Sequence, residues 1–283
     1  MIINPYRFSA AGGTGFLLDD YAGASAGYSL RELTTTSWNV GDVVIQARNS
    51  NNATETFTSA DVFDGTLVDF ANLGNGSAFV QRWYDQSGNG NNIIQSTNAL
   101  QPLIVSGGVL LADGLKFNGT DQYFDCGFNH GTATAQSIFA VAQTSDLAAN
   151  RMLVDGRDGN DDGVALFFLG SATADFMRWS ADLNGTSSGA DTFTPSLSAN
   201  VEHLFTGIFA TPNNTIWLDG VEVDTNTSAP ATISSTTSYT IGRAAYTSGS
   251  FWQGSIQEVI IYPDDQTANQ SGIDGNITTH YGI

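Results

Sequence analysis

From Tyr28 to Tyr262, short runs of β-branched and aromatic residues alternate with clusters of Gly, Asn, Asp and Ser. A chain punctuated this often can bury its apolar side chains only by pairing short strands, which predicts an all-β sandwich. Val43-Val44-Ile45-Gln46-Ala47-Arg48 ends in Asn49-Ser50-Asn51-Asn52, and Phe79-Val80-Gln81-Arg82-Trp83-Tyr84 ends in Asp85-Gln86-Ser87-Gly88-Asn89-Gly90. The sharpest turn signal is Asp219-Gly220, whose residues accept the positive φ of a two-residue hairpin between Thr215-Ile216-Trp217-Leu218 and Val221-Glu222-Val223. Asp113-Gly114 and Asn118-Gly119 carry the same kind of signal. Short helices are expected at Ser59–Phe63 and Thr66–Asn72. A third is expected around residues 266–280, without a strong amphipathic stripe. The absence of a fixed-period repeat, heptads or collagen triplets excludes a long fibre shaft.

The 283 residues suffice for a substantial core in one sandwich. Residues 1–25 are Gly/Ala-rich and weakly patterned, and read as an arm ordered by contact with a partner. Residues 26–283 read as one jelly-roll sandwich, with 26–105 as an N-terminal subregion. Acidic residues outnumber basic ones 28 to 9, for a net charge of −19, and Lys116 is the one lysine. Such a surface repels phosphate backbones and anionic lipid, so neither nucleic acid nor membrane insertion is expected. Cys126 is the one cysteine, so no internal disulfide can form. Met1-Ile2-Ile3-Asn4-Pro5-Tyr6-Arg7 has no basic region leading into a long apolar core, so no secretory signal is expected.

Two stretches resemble known families. Ser137-Ile138-Phe139-Ala140-Val141-Ala142, Glu202-His203-Leu204-Phe205-Thr206-Gly207, the 216–223 hairpin, Tyr239-Thr240-Ile241-Gly242-Arg243 and the 251–262 run resemble laminin-G-like, concanavalin A-like domains in order and spacing. This places the laminin-G-like part at 106–283. Tyr84-Asp85-Gln86-Ser87-Gly88-Asn89-Gly90-Asn91, preceded by Tyr28-Ser29-Leu30-Arg31, resembles the catalytic domain of fungal α-L-arabinofuranosidase B. Together the resemblances imply a concanavalin A-like jelly roll with minor helices and a carbohydrate-related ancestry.

Retaining glycoside hydrolysis needs two carboxylates about 5 Å apart. The arabinofuranosidase resemblance places the nucleophile near Asp182 or Leu183, where no Glu stands, and the acid/base within 242–254, which holds no carboxylate. Asp182 with Asp155 or Asp158 would be a relocated pair. The expectation is therefore a protein without enzymatic activity.

Trp83 and Tyr84 could stack a sugar face while Asp85, Gln86 and Asn89 bond its hydroxyls; the competing reading is a buried turn held by Asp85 and Ser87. Tyr246 is the expected surface aromatic, whereas Trp217 and Trp252 read as packing residues. The 155–163 loop, rich in Asp and Gly, has the oxygen donors of a Ca²⁺ site, with Asp158, Asn160 and Asp162 as the expected ligands; the competing reading is a solvated acidic turn. The functional expectation is a bacteriophage virion protein made in the host cytoplasm and displayed on the virion surface. It would be a capsid decoration, head-spike or tail-associated receptor-binding subunit. Its expected partners are other virion proteins, copies of itself and cell-surface glycan. The alternatives are a glycoside hydrolase and a stand-alone carbohydrate-binding module.

Overall fold

Two antiparallel sheets face each other across the main core. The computed structural model describes residues 15–171, 174–183 and 191–283. Among these, thirteen strands form the larger sheet. Its path runs Val221–Asn226, Asn213–Leu218, His203–Ala210, Ala135–Thr144, Gln253–Tyr262, Leu115–Asn118, Leu103–Ser106, Ala78–Trp83, Val43–Asn49, Thr54–Thr58. The smaller sheet has six, in the order Thr192–Phe193, Ala174–Asp182, Gly163–Ser171, Arg151–Asp155, Thr240–Ile241, Phe124–Asp125. This is the concanavalin A-like architecture expected from the sequence.

The strand Ala135–Thr144 shows why its run is apolar throughout. Successive side chains point to opposite faces. Ile138, Ala140 and Ala142 enter the core between the sheets. Phe139 and Val141 enter a second core on the far face, with Leu17, Leu18, Ile273 and Ile277. A strand covered on both sides loses its polar alternation. The covering elements are helix α1 (Leu17–Asp20) and helix α4 (Gln270–Tyr281).

Helices α2 (Ser59–Phe63) and α3 (Thr66–Asn72) form where the sequence predicts them. A capping box starts α2: Asp61 N donates to Thr58 Oγ1, and Thr58 N donates to Asp61 Oδ2. The Asp219-Gly220 turn closes its hairpin with φ of 51° and 81°.

The expected arm differs in one respect. Residues 1–14 lie outside the described residues, but the stretch from Leu17 to Ala24 is not a free arm. Leu17, Leu18 and Ala24 are buried in the second core, and Ala26–Ser29 pairs with the strand Gln253–Tyr262. Leu17-Leu18 is too short an apolar run to announce a helix; it needs α4 to pack against.

Helix α4 also buries a carboxyl group. Asp274 is on the buried side of the helix, where Thr206 Oγ1 and Gln270 Nε2 donate to it. Burial pushes its pKa up to about 6, against which the two donors act. An acid raised in the folded state adds stability that is complete below its ordinary value of 3.8 and lost as pH rises through about 6. Asp274→Asn should therefore gain on the parent chain by about 3 kcal/mol between about pH 4 and about pH 7. Urea denaturation of both proteins across that range checks this, and parallel pH profiles would refute it.

Candidate glycan-binding face

The outward face of the six-stranded sheet is set by its register. Ala165 stands opposite Asp155 on one side and Ser180 on the other, and Gly163 stands opposite Asp182. Val164, Leu166, Phe168, Met177, Trp179 and Ala181 therefore turn into the core. Asp155, Ala165, Phe167, Arg178, Ser180 and Asp182 share the opposite face. Gly163 and Ala165 are both buried: a Cβ at Gly163 would stand 2.7 Å from Gly156 O and 2.8 Å from His130 Nε2, and Ala165 packs with Met152, Phe167 and Ala244.

Two guanidinium groups cover Phe167: Arg157 at 5.0 Å and Arg178 at 5.1 Å from its ring centroid. The Arg157 group also lies 5.7 Å from the Tyr246 ring. Arg178 is held by an ion pair with Asp191. Arg157 is buried; burial would lower its pKa, but Asp155 outweighs that and raises it.

Asp155 is 0% exposed and accepts four N–H groups. Its Oδ1 takes Arg157 N and Nε, each at 3.0 Å, and its Oδ2 takes Arg157 Nη2 at 3.3 Å and Ala245 N at 3.2 Å. Four donors fill the four lone-pair sites of a carboxylate. Ala245 belongs to the loop that carries Tyr246, so this one carboxylate joins the sheet, Arg157 and the aromatic loop. Asp182 is also buried and accepts Ser180 Oγ.

Tyr246 is the sequence-predicted residue that this face presents, at 38% exposure. The others lie elsewhere. Trp83 is wholly buried in the main core and Tyr84 is buried beside it, so neither ring offers a face to a sugar. Asp85 is buried too, and Gly27 N, Ser87 N, Ser87 Oγ and Asn91 N fill its two oxygens. Gln86 takes Leu33 N and donates to the carbonyls of Ser29 and Arg31. Asn89, though exposed, donates to the carbonyls of Ala24 and Ser25. The segment expected to hold a ligand instead holds residues 24–33 of its own chain. Trp217 and Trp252 are buried, as read from their strand patterns.

Asp158 Oδ1 accepts Asn160 N at 2.8 Å and Asp162 N at 3.1 Å, closing a tight turn between two strands. Among the described residues, no three His, Cys, Asp or Glu side chains are grouped to hold a metal ion. The expected calcium ligands Asp158, Asn160 and Asp162 are thus brought together by the turn, with an Asp158 oxygen occupied by amides.

Sequence reasoning missed Arg157, Arg178 and Phe167 as parts of one surface. The one available signal was the scarcity of cations: a chain with nine basic residues places two on a single ring.

A family model described as the concanavalin A-like lectin/glucanases superfamily (the Laminin_G_3 family) matches residues 118–270. The chain belongs to this superfamily. The match spans the six-stranded sheet and one half of the larger one, from the edge strand Val221–Asn226 to Gln253–Tyr262, so the concanavalin A-like part contains the face just described. No curated protein sequence matches the chain. Among solved structures, an arabinofuranosidase complexed with arabinofuranosyl-α-1,2-xylobiose is similar over 91% of this chain and 62% of its own, at 17% identity and a TM-score of 0.65. A GH54 α-L-arabinofuranosidase soaked with a cyclic sulfate inhibitor is similar over 91% and 63%, at 14% identity and a TM-score of 0.61. This concanavalin A-like chain thus spans less than two thirds of those enzymes, and the likeness extends to its N-terminal subregion.

Proposed function

We propose that the chain is a glycan-binding β-sandwich without hydrolytic activity, exposed on a virion surface as a capsid decoration, head-spike or tail-associated receptor-binding subunit. The state of Asp155 carries the first half of this reading. A retaining hydrolase needs one carboxylate free to attack and a second to carry the proton. All four acceptor sites of Asp155 are occupied, two of its bonds come from the side chain of a buried arginine, and freeing it would strand that cation. Binding asks less: an exposed aromatic ring and a fixed polar group, which Tyr246 and the ion-paired, partly exposed Arg178 supply.

The virion setting draws support from composition and from one apolar spot. A single buried Cys126 lets the fold form in a reducing compartment. Leu73 and Val109 are exposed on segments joined where Gly108 N donates to Gly76 O at 2.8 Å, and offer a neighbouring subunit an apolar contact.

The test has two parts. Incubation with arabinan and arabinoxylan should release no arabinose, and a glycan array should give binding that falls about tenfold or more in Tyr246→Ala. Arabinose release that persists through purification would make the chain an enzyme. Light scattering of the purified protein should give an oligomer; a monomer that also fails to bind virion proteins would remove the virion setting.

A further inference from the structure

A second concavity lies away from the six-stranded sheet, where the N-terminal segment meets the 85–91 turn. It is a groove of about 560 Å³, within the size range of small-molecule sites. Its walls come from three separate stretches: α1 with Ala22, Gly23 and Ala24; Thr34 to Trp38; and Gln86, Ser87 and Gly88.

The chemistry of the lining is specific. Among the described residues Asp19 is its one carboxylate, and it organises the facing wall: Thr34 Oγ1 donates to Oδ1, while Thr35 N at 3.0 Å and Thr35 Oγ1 at 2.6 Å donate to Oδ2. Three donors leave one of its four acceptor sites open. Thr35, Thr36 and Ser37 form an exposed hydroxyl-bearing rim. Trp38 is half-buried; its ring packs on the main core while lining the groove, and its indole N–H donates to Val43 O at 3.4 Å. Gly23 and Gly88 border the groove with nothing within 4 Å of where a Cβ would stand, so their backbone is open to a ligand.

We propose that this groove is a second saccharide site, selective for a neutral, hydroxyl-rich sugar. A fixed tryptophan offers an apolar face to a sugar ring, and an ionised carboxylate with a free lone pair accepts a sugar hydroxyl in a charge-assisted bond. Among the described residues the lining contains no Lys or Arg, and the chain carries a net charge of −19, so a uronic or sialic acid would meet repulsion without a compensating cation there. The site is separate from the sheet face around Tyr246, and the two can succeed or fail independently.

The test is an NMR titration of the full-length, isotope-labelled protein with maltotriose, cellotriose, xylotriose and mannotriose, and with trigalacturonic acid as the acidic control. At least one neutral sugar should shift the Trp38 indole N–H and the Gly23 and Gly88 amides saturably below about 10 mM, with the acidic control silent. Trp38→Ala should weaken that sugar about tenfold or more. Because Trp38 also packs on the core, Ala22→Trp provides the second variant: it fills the groove from an exposed loop position and should abolish the shifts with the fold intact. Tyr246→Ala should leave them unchanged. No saturable shift with any of the four neutral sugars, or shifts that survive Ala22→Trp, would overturn the proposal.

Discussion

Arg31→Ala should lower the stability of this chain by about 3–5 kcal/mol, far more than the loss of an ordinary surface arginine. The guanidinium is buried and forms a two-pronged ion pair with Glu258, Nε to Oε2 at 2.7 Å and Nη2 to Oε1 at 2.9 Å. Its Nη1 donates to Asn276 Oδ1 at 2.8 Å. Ser29 Oγ and Tyr281 OH also donate to Glu258, so the pair ties the first described strand, the last strand and α4 together. Burial alone would raise the Glu258 pKa, but Arg31 outweighs it and holds the carboxyl below its ordinary 4.5. A depressed acid gives stability above its unfolded value, and that stability is lost as pH falls through the folded one. Removing the arginine leaves a buried carboxylate without a counter-ion, which is the expensive outcome. Arg31→Lys should recover part of the loss, because a point charge cannot bind both oxygens in the same plane. The double variant Arg31→Met/Glu258→Leu should recover most of it, because no charge is then left unpaired. Urea denaturation measures all three; a loss of less than about 1 kcal/mol in Arg31→Ala would mean that water reaches Glu258.

Trp179→Ala should be comparably damaging, at about 3–5 kcal/mol. Trp179 is fully buried between the sheets on a strand of the candidate face, and its indole N–H has no hydrogen-bond partner among the described residues, so its contribution is packing. Its ring lies where Gly207 of the opposite sheet has no side chain: a Cβ at Gly207 would stand 2.4 Å from the ring. Gly207→Ala should therefore destabilise the parent chain, and should cost little or be favourable in the Trp179→Ala background. Such a cycle should show coupling of about 1–3 kcal/mol between residues 28 positions apart in sequence. Additive losses would mean that the sheets adjust by sliding, and that the tryptophan and glycine do not specify each other.

The two variants also separate what can be read along a chain from what cannot. The hairpin at Asp219-Gly220, the strands Val43–Asn49 and Ala78–Trp83, and helices α2 and α3 follow from neighbours within a few residues, and all are legible. Helix α4 is legible only as a helix, since its buried side includes Gln270 and Asp274 as well as Ile273 and Ile277. Polarity at the surface of a sequence is not polarity at the surface of a protein. Asp85 and Gln86 follow an aromatic strand like ligand-binding residues, yet their hydrogen-bond partners at Gly27, Ser29, Arg31 and Leu33 lie over fifty positions away. Tyr246 was legible as a surface aromatic in a turn-like loop, but its neighbours Arg157 and Phe167 were not, because three strands and a loop bring them together.

The all-β sandwich, the acidic surface and the lack of an internal disulfide are legible along the chain, and the concanavalin A-like class is what the family resemblance of its motifs implies. Turn chemistry, strand periodicity and net charge are local or additive properties, and they survive without knowledge of neighbours. Strand pairing, in contrast, sets which polar groups are spent inside the fold and which face outward. It turned the 85–91 segment into a clasp and saturated Asp155 with Arg157. It also left a groove where Asp19, Trp38 and Gly88 meet. Those outcomes depend on which strands lie side by side and on which face of each pleat a residue falls, and strand pairing is a long-range property of the whole sheet.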